Sequence, residues 1–229
     1  MVKESLIKGG IPVLLSVALL VFVDQYTNAP VPERLMDIVV ANIAADLFII
    51  VTAFYSGLVR ADSQLLKWYT KYGMSAVIMD TLIGVIYMIA GYEFLKLFKY
   101  KRLIYFGLIS VVIQWVGDIL FYVLFSVVPL RKNAVLDFFK LYAKEAQLGA
   151  LLGDTFLVVF AVLFSSMLSL ISNQRYVNYI FIIILYIIPY FVHANTFDAS
   201  ETTPTAPIKH VDVQHKRIGR SIGMIGNSA

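Results

Sequence analysis

Residues 103–128 read LIYFGLISVVIQWVGDILFYVLFSVV, a run in which Asp118 is the single charged residue. A bilayer core about 30 Å thick is crossed by about 20 apolar residues in a helix, the form that satisfies every backbone N–H and C=O without water. This stretch is therefore expected to span a membrane. Working outward, residues 5–23, 35–59, 73–90, 148–171 and 177–191 meet or approach the same length and apolarity, the last being the shortest. Lys3 and Lys8 ahead of the first run resemble the start of a signal peptide. No small-x-small cleavage site precedes Asp24, however, so that run too is read as a helix.

The expectation is an all-α integral membrane protein. Residues 1–193 form a bundle of about six transmembrane helices with one interfacial helix, and residues 194–229 form a polar, basic C-terminal tail. Composition agrees: 59% of the 229 residues are hydrophobic and 15% charged, more apolar surface than a soluble core of this size can hide. The absence of cysteine removes disulfides, thiolate metal sites and thiol catalysis. With His193, His210 and His215 the only histidines, a haem between paired intramembrane histidines is not expected either. No cofactor is expected. The formal charge of +4 is too small to indicate nucleic acid, and the basic residues cluster at the ends of apolar runs, where lipid headgroups lie.

Lysine and arginine also set orientation. Thirteen fall on the side that would hold both termini and six on the other, so the positive-inside rule places the termini in the cytoplasm. Within the 129–147 connection, Val135, Phe138, Phe139, Tyr142 and Ala146 recur at helical spacing, while Asp137, Lys140 and Lys144 share the opposite face. That is the interfacial helix. The 60–72 connection reads as a loop. Residues 92–106 mix Tyr92, Phe94, Phe98, Tyr100 and Tyr105 with Lys96, Lys99, Lys101 and Arg102, the aromatic and snorkelling pattern of a membrane boundary.

Four successive spans each carry one carboxylate: Asp46, Asp80, Asp118 and Asp154, separated by 34, 38 and 36 residues. The spacing resembles one helix-plus-loop unit repeated. With a rise of about 1.5 Å per residue and alternating direction, Asp80, Asp118 and Asp154 fall at comparable depth, with Asp46 nearer the midplane. They form a potential polar layer. An aspartate at the centre of a lipid-exposed helix costs about 2.5–3.5 kcal/mol, so all four are expected to face the bundle interior. No lysine or arginine lies deep in any span; the available partners are Asn42, Thr52, Ser75, Thr81, Ser110, Gln114, Thr155, Ser165 and Ser166. Some of the aspartates are therefore expected to be protonated and to donate hydrogen bonds between helices.

Two uses of such a layer stand open. Intramembrane carboxylates commonly mark a proton or cation pathway; alternatively they fix helix packing. The spans lack the Gly/Pro interruptions of transporter sites, which favours packing. An intramembrane aspartyl protease would place Gly-x-Gly before a catalytic aspartate, whereas Gly149 and Gly153 precede Asp154 at the wrong spacing. Those glycines read instead as a close helix-packing surface. A retinal lysine in the last span and zinc-hydrolase signatures are also missing. No enzymatic activity is expected.

The segments Asp80-Thr81-Leu82-Ile83-Gly84 and Gly153-Asp154-Thr155-Phe156, with the short basic tail, resemble the multi-pass inner-membrane, minor-capsid-associated proteins of nucleocytoplasmic large DNA viruses of the chlorella-virus kind. The resemblance covers residues 35–190. It implies a structural protein in the internal virion membrane, with its termini on the capsid-facing side. It also implies contacts to capsid or other membrane proteins through the 129–147 connection and the tail. Lys209, Lys216, Arg217 and Arg220 are the tail residues expected to bind, because a polar segment without its own core gains order only from a surface it meets.

Overall fold

The computed structural model describes residues 2–56, 59 and 63–193, with side chains described from residue 10 onward. The tail residues Lys209, Lys216, Arg217 and Arg220 lie outside the described residues. Within them the fold is helical throughout: α1 (Val2–Tyr26), α2 (Leu35–Tyr55), α3 (Gln64–Tyr72), α4 (Met74–Leu97), α5 (Leu103–Val127), α6 (Ala134–Ala146), α7 (Leu148–Ser169) and α8 (Gln174–His193). Helices α2, α4, α5, α7 and α8 are long and apolar enough to cross a membrane, and α1 carries a shorter apolar stretch over Gly10–Tyr26. Leu120, Val123 and Leu124 of α5, with Ile182 and Ile183 of α8, point outward. Such outward apolar faces suit lipid, which removes the need to bury them.

Helices α2, α4, α5 and α7 form a ring in which α2 and α5 each pack against both α4 and α7. Helix α1 lies against α7 and α5, and α8 against α2. One core cluster joins Leu20, Val40, Phe106 and Val162; a second gathers Trp68, Tyr69, Val77, Phe138 and Ile188. Helices α3 and α6 meet at the end of the ring where α2 and α5 finish and α4 and α7 begin. Their aromatic faces interlock there, with Trp68 and Phe138 ring centroids 5.3 Å apart and Trp68 and Phe139 4.9 Å apart.

Three expectations need correcting. There are two short amphipathic helices, not one, because Leu65, Trp68, Tyr69 and Tyr72 give the 60–72 connection an apolar face that packs on α4 and α6. Helix α4 continues to Leu97, seven residues beyond the expected end, so Tyr92 and Phe94 are helical. Gly153 is not a packing surface: a Cβ placed there would meet nothing within 4 Å.

The repeating unit is also larger than one helix. Trp68 and Tyr142, Gly73 and Gln147, Asp80 and Asp154, and Thr81 and Thr155 are four pairs with one common separation of 74 residues. Each half runs from a spanning helix (α2 or α5) into a side-chain-capped interfacial helix (α3 or α6). It then turns sharply into a second span (α4 or α7). Ser63 Oγ caps α3 by accepting from Leu66 N at 3.3 Å, and Asn133 Oδ1 caps α6 by accepting from Val135 N at 2.9 Å. The two turns share one backbone conformation, Gly73 at φ 54°, ψ −131° and Gln147 at φ 47°, ψ −128°. The ring packing follows the same approximate twofold relation.

That conformation suits glycine and strains any residue with a Cβ. Gln147 is exposed, so its side chain contributes little packing to offset the strain. Gln147→Gly is expected to raise stability by about 1 kcal/mol. Gly73→Ala, whose Cβ would stand 3.0 Å from His193 Cε1, should lower it by about 1–3 kcal/mol. Unfolding titrations in mixed micelles read both, and equal signs at the two turns would contradict the strain assignment.

Candidate functional site: an aspartate layer under two interfacial helices

The twofold path brings the four aspartates together, one from each helix of the ring. Asp46, 3% exposed, accepts from Thr81 Oγ1 at 2.5 Å, a bond from α4 to α2. Asp80 is half-buried and accepts from Trp68 Nε1 at 2.8 Å and from the Tyr69 hydroxyl. Asp118, also half-buried, accepts from Tyr87 Oη at 3.0 Å and from Gln114 Nε2. Gln114 extends this branch, since its Oε1 accepts from Thr155 Oγ1 at 3.2 Å and Thr155 in turn accepts from Trp115 Nε1 at 2.8 Å. The Thr81–Asp46 bond on one side of the ring thus has a longer counterpart on the other, from Thr155 through Gln114 to Asp118.

Asp154 is different. It is half-buried, lies within electrostatic reach of Asp118 and Asp80, and has no hydrogen-bond partner among the described residues. Asp46 in turn stands within reach of Asp80 and Asp154, so the four carboxylates form one electrostatic group.

The roof of the layer belongs to the interfacial helices. Tyr142 of α6 faces Asp154 and Asp80; desolvation and then those negative charges push its hydroxyl above the usual tyrosine range. Burial does the same for Tyr69, followed by the charge of Asp80. Both phenols therefore remain neutral at physiological pH. No group of three or more His, Cys, Asp or Glu side chains is arranged to hold a metal ion among the described residues.

Of the neutral partners expected from sequence, Thr81 and Gln114 reach an aspartate and Thr155 reaches one through Gln114. The others named by a bond turn elsewhere. Asn42 Nδ2 donates to Ile38 O at 2.8 Å, Ser165 Oγ to Val162 O at 2.9 Å and Ser166 Oγ to Pro30 O at 2.6 Å. The Ser110 hydroxyl is buried without a partner. The donors missed were Trp68, Tyr69 and Tyr87. Aromatic residues at a membrane boundary read as anchors, and only the fold of α3 over α4 turns Trp68 and Tyr69 inward.

A second polar site, at the opposite end of the ring, was not foreseen. Arg34 Nε donates to Asp37 Oδ2 at 2.8 Å, while Nη1 and Nη2 donate to Ile171 O and Leu168 O, each at 2.9 Å. Ser169 Oγ adds a bond to Asp37 Oδ2 at 2.7 Å. This clamp caps the Leu168 carbonyl in the last turn of α7 and the Ile171 carbonyl just beyond it with a guanidinium held by the first turn of α2. Nearby, Asp24 at the end of α1 accepts from Arg102 Nη2 at 2.5 Å and from Ile104 N at 3.0 Å, which caps α5 from another helix. The i, i+3 spacing of Arg34 and Asp37 at a helix start was the available signal.

Comparison of the chain with family models, curated proteins and solved structures finds no match.

Proposed function

We propose that the chain is a non-enzymatic structural membrane protein in which the aspartate layer fixes the order and register of the ring helices. The observation that carries this reading is the closure of three carboxylates by neutral donors: Thr81 on Asp46, Trp68 and Tyr69 on Asp80, and Tyr87 and Gln114 on Asp118. All but the Gln114 bond, which lies within α5, join different helices, and such interhelical bonds contribute about 0.6–2 kcal/mol each in a membrane and specify which helix faces which. On the sequence resemblance, the proposed setting is the internal membrane of a virion, with termini on the cytoplasmic, capsid-facing side. The tail and the 129–147 connection would then meet capsid proteins. Cross-linking in intact particles tests that setting, and recovery of the protein only from a cellular membrane free of shell proteins rules it out.

Asp154 favours a second reading, a proton- or cation-coupled carrier or channel, since an unpartnered carboxylate beside two others offers a place for a proton or cation to pause. Liposomes loaded with a pH-sensitive dye separate the two. The structural reading expects an imposed pH or cation gradient to decay no faster than in protein-free vesicles, with Asp118→Asn and Asp154→Asn making no difference. A gradient that collapses with the native chain and survives with either variant transfers the protein to the second reading.

A further inference from the structure

A cleft of about 810 Å³ opens beside the Arg34 clamp, between the 30–34 connection, the end of α4 and the 98–102 turn. Its charged and aromatic rim is Arg34, Lys96, Lys99, Lys101, Tyr92 and Tyr100, and Glu33 is the one acidic residue lining it. The cleft sits where spanning helices end, at headgroup level. We propose that it binds the phosphate-bearing headgroup of an anionic lipid, with the aliphatic lining continuing along the acyl chain.

Cations at a helix C-terminus have an ordinary use, since they offset the negative end of the helix dipole. Here that use is already met. The carbonyls of α7 are capped by Arg34, and those ending α4 are closed by Phe98 N to Phe94 O at 3.3 Å, Lys99 N to Lys96 O at 3.1 Å and Tyr100 N to Leu95 O at 3.2 Å. Lys96 is partly neutralised by Glu93 at 3.0 Å and lies over the Tyr92 ring. Lys99 and Lys101 are exposed and have no ion-pair partner among the described residues. Two unneutralised ammonium groups beside a tyrosine-lined cleft supply the charge and the hydrogen-bond donors that a phosphodiester needs.

The backbone points the same way. Lys99 occupies a left-handed position, φ 56°, just after the Phe98 cap of α4, where glycine is the unstrained choice. A lysine held in a glycine position is a local conflict between fold and sequence, and such conflicts gather where a side chain has a task. The placement also accounts for the basic residues of 96–102 on the side of the membrane that otherwise carries few.

Lys99→Gly makes the test sharp, because the substitution relieves the backbone while removing the charge. The full chain in neutral detergent would be titrated with phosphatidylglycerol, phosphatidylcholine or inorganic phosphate, following the thermal unfolding midpoint. The native chain should gain stability with phosphatidylglycerol alone. Lys99→Gly with Lys101→Gln should unfold at the same or higher temperature without lipid, yet require at least tenfold more phosphatidylglycerol for half of the shift. The charge-matched pair Lys132→Gln with Lys144→Gln, on the other end of the bundle, should titrate like the native chain. Equal loss in both double variants, or an equal shift with phosphatidylcholine, overturns the proposal. A full shift with inorganic phosphate overturns the assignment to a lipid.

Discussion

Arg34→Met is expected to lower the unfolding free energy by about 3–5 kcal/mol, the cost of leaving a buried carboxylate without its cation. The Asp37 side chain is fully buried, and its Oδ1 already lacks a hydrogen-bond partner. Without the guanidinium, Oδ2 keeps only the Ser169 hydroxyl, the Ile171 carbonyl loses its donor, and the Leu168 carbonyl keeps the Ile171 N–H at 3.0 Å. The loss falls on two helices, because Arg34 stands at the N-terminal cap of α2 and the carbonyls at the C-terminal end of α7. Reversible unfolding of the reconstituted chain in a rising fraction of denaturing detergent measures the loss.

The pair differs from its two members taken singly. Burying an ion pair costs desolvation that roughly cancels its attraction, so an apolar pair of similar volume is often as stable. Arg34→Met combined with Asp37→Leu should therefore recover most of what Arg34→Met loses, apart from the uncapped Ile171 carbonyl. A single variant within about 1 kcal/mol of the native chain, the range of an exposed pair, would show that the clamp is solvated and not buried.

The span pattern was plain in the sequence because hydrophobic length is a local property. Residues 103–128 read the same whatever surrounds them, and α5 follows that run to within one residue. Helix α3 was not legible, since nine residues containing Lys67 and Lys71 make a weak signal until α6 supplies the partner for its aromatic face. The aspartates were visible as anomalies, residues that lipid forbids. Their partners were legible only in part: Thr81 and Gln114 serve as small polar residues should, but the fold adds Trp68 and Tyr69 from a boundary position and Tyr87 from within α4. Equal spacing between the aspartates suggested a one-helix repeat. The two-span period shows instead in the backbone conformation that Gly73 and Gln147 share, a likeness that two different side chains conceal.

Close approach between helices was hidden for a related reason: a glycine in an apolar run shows neither its neighbour nor its distance. Gly91 of α4 is buried against α5, where a Cβ would stand 2.4 Å from Ser110 Oγ and 3.3 Å from Ser110 Cα. A hydroxyl can rotate away, but a Cα moves only with its helix. Gly91→Val places two further methyl groups in the same gap and is expected to cost about 3 kcal/mol by forcing α4 from α5. Tyr87 lies about one turn earlier on α4, so the same displacement should weaken its bond to Asp118 and open the aspartate layer at that side. Ser110 offers the control. Its hydroxyl is buried without a partner, so Ser110→Ala should be close to neutral. Exchanging the side chains across the crossing, Gly91→Ala with Ser110→Gly, keeps one Cβ in the gap and should return stability to within about 1 kcal/mol of the native chain. Loss of stability in Gly91→Val without recovery in the exchanged pair would place the strain elsewhere than at this crossing.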